Sequence, residues 1–475
     1  MTVRPYLVNG EWRTGDGTFD VKSPFDGSLV AELGVPTEAD VEEAAATAAS
    51  TFAESRHLPI HARADALDHI SRRLAESVDE NAELIAREGG KPLKWARVEA
   101  TRAISTFRWA SEIIRHGEDE VMRLDTEASL GSRIGLLRRF PIGPVLGITP
   151  FNFPLNLVAH KVAPSLAVGA PIVVKPASAT PLGALRLAEL FAETDLPKGM
   201  YQVLPVSSKV ADGMARDDRF RKISFTGSAE IGWYLKGLDP KKRVTLELGG
   251  NAGVIVHSDA DLDHAAARIA FGGYYQAGQS CISVQRVLVQ SEVYEAFAAR
   301  LVKEVENLKV GDPMDPTVDV GPVIQPQEVD RIDAWVQEAV SQGAEILTGG
   351  KADSPFYSPT LLSHVNSDMK VCREEIFGPV VTISPYETFE EALASVNNSR
   401  FGLQAGVFTN DINRAFEAHR TLEVGGVIIN DQSAFRADQM PYGGSKESGF
   451  GREGLRFAME EMTEQRIMVL SNVPL

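Results

Sequence analysis

Residues 145–175 read VLGITPFNFPLNLVAHKVAPSLAVGAPIVVK. Val145–Thr149 is short, apolar and β-prone, Leu155–Val168 is helix-length, and Ile172–Lys175 is again a short apolar run. Strand, helix, strand within about thirty residues is the unit of a parallel sheet, because parallel neighbours need a crossover long enough to hold a helix. The rhythm continues with helix Leu182–Thr194, strand Tyr201–Leu204, a helix around Lys209–Ala215, strand Lys222–Thr226, helix Ala229–Leu238 and strand Arg243–Leu248. That alternation predicts an α/β fold built on a doubly wound parallel sheet, which binds ligands at the carboxyl ends of its strands.

A second α/β unit follows a boundary placed just after Gly250. Ala260–Gln279 is expected as helix, Val284–Gln290 as strand and Ser291–Leu308 as helix. Strands Val380–Ser384, Ala405–Thr409 and Val427–Asn430 come later, with helices Thr388–Ser395 and Ile412–Thr421 between them. The first third reads as helical, with Thr37–Asp40 capping a run to Phe52, then Ala62–Ser77, Asn81–Glu88 and Glu99–His116. Ser132–Phe140 is expected as an extended arm. A chain of 475 residues exceeds one hydrophobic core, so two or three domains are expected.

The formal charge of −17 repels phosphate backbones, which argues against a nucleic-acid partner. Two cysteines make no disulfide framework, and no Cys/His cluster has zinc-ligand spacing, so no metal is expected. The N-terminus lacks a signal-peptide layout, and the apolar stretch Val162–Val174 is too short to span a bilayer. A cytoplasmic protein without membrane contact is the expectation.

Cys281 sits in GQSCIS (278–283), after a small-residue turn between a helical and a β-rich run. Unpaired cysteines are usually packed as small hydrophobes, yet this setting also suits a nucleophile. Glu247, in LELGG (246–250), places a carboxylate where an apolar strand meets two glycines. It is costly there unless it reaches a cavity or a partner, and a helix cap or strand-end ion pair is the plainer reading. Asn152, in ITPFNFP (148–154), is either a rigid turn former or an amide aimed at an oxyanion. Lys175 closes a buried strand and either snorkels to solvent or meets an anion above the sheet edge. FTGSAEIG (225–232) is a strand–turn–helix whose amide groups suit a pyrophosphate, a weak signal taken alone. EEIFGP (374–379) offers carboxylates for ribose hydroxyls and an aromatic for a ring, or is simply an acidic turn. Cys372 nearby reads as structural.

Together and in this order, these segments resemble the aldehyde dehydrogenase superfamily over nearly the whole chain, from VNGEW (8–12) through PYGG (441–444) to SGFGRE (448–453). The separation of Glu247 from Cys281, 34 residues, also matches that family. The resemblance implies a Rossmann-like doubly wound cofactor domain (1–120 and 140–250), a second α/β catalytic domain (251–445) and a small β oligomerisation element (121–139 and 455–475). It implies Cys281 as nucleophile, Asn152 with the Cys281 N–H as oxyanion donors, and Glu247 as the base that hydrolyses a thioester. NAD or NADP would be held by Thr149, Pro150, Phe151, Lys175, Ser178, Thr226, Gly227, Ser228, Ile231, Leu248, Gly249, Glu375 and Phe377.

Two departures bear on the cofactor. Many NAD-preferring members carry Glu three residues after the strand lysine; here Ser178 stands there and repels no 2′-phosphate, so NADP is admitted. The glycine-containing turn after the next strand is replaced by LPVSS (204–208), which weakens any pyrophosphate contact there. For the substrate, LNLVAHK (155–161), GQSCIS and NDQSAFR (430–436) look like the lactaldehyde and phosphonoacetaldehyde dehydrogenase branch. That likeness implies a small polar aldehyde met by Phe153, His160, Arg102, Ser280 and Ile282, although His160 also reads as a core histidine satisfied by backbone. Phosphonate-handling relatives can carry Arg before the nucleophile, where this chain has Ser280, which favours a hydroxy-aldehyde or a broader range. The retained Glu247 favours release of a free acid over transfer to coenzyme A. The rival readings are a cysteine esterase or thioesterase without redox chemistry, and a phosphonoacetaldehyde-type dehydrogenase. The extended arm and the β-prone tail Gln465–Leu470 imply a homodimer or homotetramer.

Overall fold

A computed structural model describes residues 2–117 and 119–472. Two sheets organise it. The first has eight strands in the order Glu11–Arg13, Tyr6–Val8, Tyr201–Val203, Ile172–Lys175, Val145–Ile148, Lys222–Thr226, Arg243–Glu247 and Gly449–Phe450. Its five central strands are parallel, and Ile172–Lys175 and Lys222–Thr226 have the bounds expected from sequence. The second has seven strands in the order Glu345–Thr348, Thr360–Ser363, Val380–Tyr386, Val284–Gln290, Ala252–Val256, Gln404–Phe408 and Gly426–Ile429. A third sheet joins Thr463–Ser471, Arg133–Pro141 and Glu120–Arg123. The expected α/β architecture is therefore present.

Helix starts follow local chemistry. Thr37 caps helix Glu38–Ser55 with a reciprocal box: its hydroxyl accepts the Asp40 N–H at 3.1 Å, and the Asp40 carboxylate accepts the Thr37 N–H at 2.9 Å. Helix Leu93–Arg115 begins behind Pro92, six residues ahead of the expected Glu99, because Lys94 and Trp95 on its first turn bind Asp319. Among the described residues no helix is long and apolar enough to cross a membrane.

Several expectations need correction. The first third is not helical throughout: strands Tyr6–Val8, Glu11–Arg13, Gly17–Lys22 and Leu29–Val35 precede the first helix. They are too short, or too mixed in polarity, for periodicity to separate them from loop. Strand Ala252–Val256 and helix Pro326–Ser341 were not expected at all. The expected helix Ala260–Gln279 spans only Leu262–Tyr274, after which the chain turns left-handed. The tail is divided as well. Leu455, Met459 and Met462 lie in the hydrophobic core around the first sheet, so the strand of the third sheet starts only at Thr463.

Candidate active site

Strands Val145–Ile148 and Lys222–Thr226 are neighbours, but the chain leaves the first toward one edge of the sheet and the second toward the other. The crevice above their carboxyl ends is the topological switch point, where doubly wound sheets take ligands. Thr149–Phe153 leaves one strand there. Gly227 and Ser228 leave the other and open helix Ala229–Leu238, whose cap is the Ser228 hydroxyl. Lys175 ends the next strand, buried, with no carboxylate within 4 Å among the described residues, and burial lowers its pKa.

An open cavity of about 680 Å³ adjoins this crevice, lined by Ser228, Trp233, Trp335, Glu375, Arg400 and Phe401 among others. Glu375 comes from the second sheet's side and accepts the Gly250 N–H at 2.8 Å; burial pushes it up to about 7. Gly249 lets it approach, since a Cβ there would stand 2.3 Å from Glu375 Oε2. Phe377 packs edge-on against Phe151 with centroids 5.8 Å apart. Ser178 and Ile231 are exposed, whereas the Leu248 side chain is buried against Gly232. Thr149 presents a buried hydroxyl with no partner among the described residues. The unpaired Lys175 ammonium, the orphaned Thr149 hydroxyl, a ten-residue helix pointing its N-terminus at the crevice and the adjoining cavity fit a dinucleotide. Lys175 would hold ribose hydroxyls and the helix N-terminus the pyrophosphate.

Cys281 is delivered by an unwound segment. Gln276, Ala277 and Gly278 have φ of 53°, 54° and 68°, a left-handed run that costs side-chain-bearing residues about 1–3 kcal/mol each and persists only where the surroundings enforce it. Here they do. Gln276 Nε2 donates to the Asn152 carbonyl, Asn152 Nδ2 donates to the Gln279 carbonyl at 3.0 Å, and Gln279 Oε1 accepts the Ile324 N–H at 3.0 Å. The Asn152 turn and the cysteine loop are thus one unit. Gly250 packs directly on this loop, for a Cβ there would lie 2.1 Å from the Cys281 carbonyl oxygen. The Cys281 Sγ lies 3.0 Å from Tyr442 Oη, and burial pushes its thiol up to about 12.

Glu247 closes strand Arg243–Glu247, buried, with neither carboxylate oxygen hydrogen-bonded among the described residues. Burial and then the charge of Glu453 hold its pKa well above the usual range, against the pull of Arg436, Lys161 and Arg452. Glu453 differs. Burial raises it too, but Lys161 Nζ at 2.9 Å and Arg436 Nη2 at 3.1 Å outweigh that and hold it ionised, at about 2. Lys161, fully buried, also donates to Ser224 at 3.2 Å and Thr226 at 2.8 Å. The Arg436 guanidinium lies over the Tyr442 ring, 3.8 Å from its centroid.

On the substrate side, Arg102 on helix Leu93–Arg115 grips Asp438 through Nε at 3.2 Å and Nη2 at 2.8 Å, its side chain still 24% exposed. His160 is 1% exposed and its Nε2 lies 3.0 Å from the same Asp438 oxygen. It is a core histidine held by a carboxylate rather than by backbone, and its buried Nδ1 has no hydrogen-bond partner among the described residues. Burial and Arg436 push it down to about 4, so it is neutral at pH 7. Ser280, buried, accepts a hydrogen bond from Tyr275 at 3.0 Å. Ile282 packs with Leu403 and Tyr442 beside Cys281. Phe153 is half-buried under the Lys91 ammonium, 3.7 Å from its ring centroid. The buried ion pair of Lys91 with Glu99 anchors this corner, and Glu99 accepts the N–H groups of Leu155 at 3.0 Å and Asn156 at 3.1 Å.

Lys161, Arg436, Asp438, Tyr442 and Glu453 were not foreseen as site residues. Lys161 carried a signal, a charge inside the otherwise apolar run 155–168; the others join the site only through tertiary contact. Among the described residues no cluster of His, Cys, Asp and Glu could hold a metal ion.

The chain matches the aldehyde dehydrogenase family over residues 12–468. It is 43% identical over 465 residues to a 3-sulfolactaldehyde dehydrogenase of Priestia megaterium, covering 98% of this chain and 97% of that protein. Its fold superposes on aldehyde dehydrogenase 21 of Physcomitrella patens, solved with its reaction product succinate, with a TM-score of 0.97 at 41% identity, covering 100% of this chain and 99% of that one. A glyceraldehyde-3-phosphate dehydrogenase, GapN, of Methanocaldococcus jannaschii, solved with NADP, gives a TM-score of 0.92 at 38% identity, covering 96% and 99%. The chain therefore belongs to the aldehyde dehydrogenase family, and it is an enzyme that oxidises small aldehydes to acids with NAD or NADP.

Proposed function

We propose that the substrate is a short aldehyde with an anionic, carboxylate- or sulfonate-type tail, oxidised to the free acid by Cys281, Asn152 and Glu247. The Cys281 thiolate attacks the aldehyde carbon, and the oxygen that gains charge is held by Asn152 Nδ2 and the Cys281 N–H. Loss of hydride from that carbon leaves a thioester on Cys281. The chemistry supplied by NAD or NADP, when bound, is acceptance of the hydride. Glu247 then takes a proton from water, whose oxygen bonds to the thioester carbon as the carbon–sulfur bond breaks.

The observation that carries this reading is the buried, unpartnered Glu247 carboxyl beside the segment that touches the nucleophile. Tyr442 meets the Cys281 sulfur, and a Cβ on the next residue, Gly443, would stand 3.1 Å from Glu247 Oε1. A buried carboxyl with no protein partner among the described residues keeps its acceptor capacity for a water. The anionic tail is supported by Arg102, whose side chain stays 24% exposed while paired with Asp438, and by the sulfonate and succinate named for two relatives.

The test is steady-state kinetics on equal-length aldehydes with and without an anionic tail, with and without coenzyme A, for the native enzyme and Arg102→Met. The expected result is free acid regardless of coenzyme A, and a preference for the anionic tail that falls at least about tenfold in Arg102→Met, mostly through KM. Coenzyme-A-dependent turnover, or a tenfold preference for long aliphatic aldehydes, refutes the reading.

The same reading includes a cytoplasmic homodimer or homotetramer. Strand Thr463–Ser471 forms an edge of the third sheet and exposes Ile467, Met468, Val469 and Leu470, a stretch that self-pairing would cover. Light scattering distinguishes these states from a monomer.

A further inference from the structure

The residue that meets the reactive sulfur has a hydroxyl where a ring alone would fill the space. Tyr442 is buried, and its Oη has one hydrogen-bond partner among the described residues, the Cys281 Sγ at 3.0 Å. Its backbone is fixed by a reciprocal pair with Glu453, Tyr442 N to Glu453 O at 3.0 Å and Glu453 N to Tyr442 O at 2.7 Å. The Arg436 cation, 3.8 Å from the ring centroid, draws electron density from the ring and strengthens the O–H as a donor. The Arg436 head is itself buried and held by Glu453, so the cation stays over the ring.

We propose that the Tyr442 hydroxyl is a catalytic hydrogen-bond donor to the Cys281 sulfur, stabilising the thiolate when it forms and again when it leaves the thioester. The inference rests on Cys281 being the nucleophile. In the first step the thiol proton passes to solvent, the sulfur–carbon bond forms and the carbonyl π pair moves to oxygen. In the last step water adds to the thioester carbon, its proton goes to Glu247, and the carbon–sulfur pair returns to sulfur. Tyr442 keeps its proton throughout. Burial and then the Cys281 charge hold its phenol well above the usual range, so it remains a donor at every working pH. Without such a donor, an enclosed thiol is a poor source of thiolate.

Tyr442→Phe keeps the ring and the stacking and removes only the oxygen. The experiment is the rate of iodoacetamide alkylation of the cofactor-free enzyme at a fixed pH between about 7 and 9, followed by the carbamidomethyl mass gained and by residual aldehyde oxidation, with labelling of Cys281→Ser as the control for Cys372. Alkylation should slow by roughly fourfold or more in Tyr442→Phe, because the thiolate has lost a charge-assisted hydrogen bond. In rapid mixing with aldehyde and cofactor, a burst of cofactor reduction followed by a slower steady rate should appear, because the departing sulfur has lost its donor. An alkylation rate within about 1.5-fold of the native one overturns the proposal, since a packing role would lower the melting temperature without changing the thiolate's share. If iodoacetamide leaves the native enzyme active, it is the nucleophile assignment that falls instead.

Discussion

Replacing Glu453 by Gln removes the one anion that two buried cations share. Its carboxylate accepts from Lys161 at 2.9 Å and Arg436 at 3.1 Å, and all three side chains are at most 6% exposed. A carboxyl held at about 2 instead of 4.5 contributes roughly 3 kcal/mol of stability at neutral pH. That agrees with the ~3–5 kcal/mol lost when one partner of a buried ion pair is removed. The sign follows from the depressed folded value: the contribution is whole above the unfolded carboxyl's 4.5 and disappears as pH falls toward 2. Glu453→Gln should therefore be less stable by roughly 3 kcal/mol in urea unfolding at pH 7, with the gap to the native protein narrowing in acid. The second effect is catalytic. Glu453 repels the ionised form of Glu247, while Lys161 and Arg436 favour it. With the repulsion gone and both cations unopposed, the Glu247 pKa falls, and the acid limb of thioester hydrolysis should move to lower pH. Measurement is by the pH profile of the steady rate after a burst. A loss below about 1 kcal/mol, or a limb that moves upward, refutes the electrostatic account of this cluster.

Two further outcomes follow from the same geometry. Asn152→Ala removes an oxyanion donor and should lower kcat by about 100–1,000-fold, with a far smaller change in ligand-free thiol alkylation, measured by stopped flow and iodoacetamide kinetics. Ser178→Glu places a carboxylate at the exposed end of strand Ile172–Lys175 and should depress kcat/KM for NADP relative to NAD by tenfold or more; an unchanged ratio of the two removes Ser178 from cofactor choice.

The parallel sheet was legible because strands such as Ile172–Lys175 are buried on both faces and read as unbroken apolar runs. Ala252–Val256 is just as buried, but it follows two glycines and carries a third, which read as turn. The hairpins before Val35 alternate weakly, and their exposed residues hide them. The left-handed run 276–278 was illegible for a different cause. Gln and Ala favour helix locally, and tertiary contacts such as the Gln276–Asn152, Asn152–Gln279 and Gln279–Ile324 bonds hold them out of it. Within the candidate site, Cys281, Glu247 and Asn152 stand out in sequence as polar or reactive groups at or beside turns, each open to a plainer reading until the family resemblance joins them. Tyr442 and Glu453 did not, since their meaning lies in what they touch across the fold. His160 shows the converse: a histidine near the centre, yet turned to Asp438 in the core.

Strand Arg243–Glu247 is flanked on its outer side by Gly449–Phe450, and Ser448 bonds the Gly249 carbonyl, 199 positions earlier in the chain. The whole second sheet is synthesised between those two contacts. Closing so long a loop is slow relative to the local pairing within either sheet. The Glu247–Glu453 pair, Tyr442 and Arg436 around Cys281 therefore depend on the closure of that long loop. Until it closes, Cys281 has neither the Tyr442 hydroxyl nor the Arg436 cation in reach.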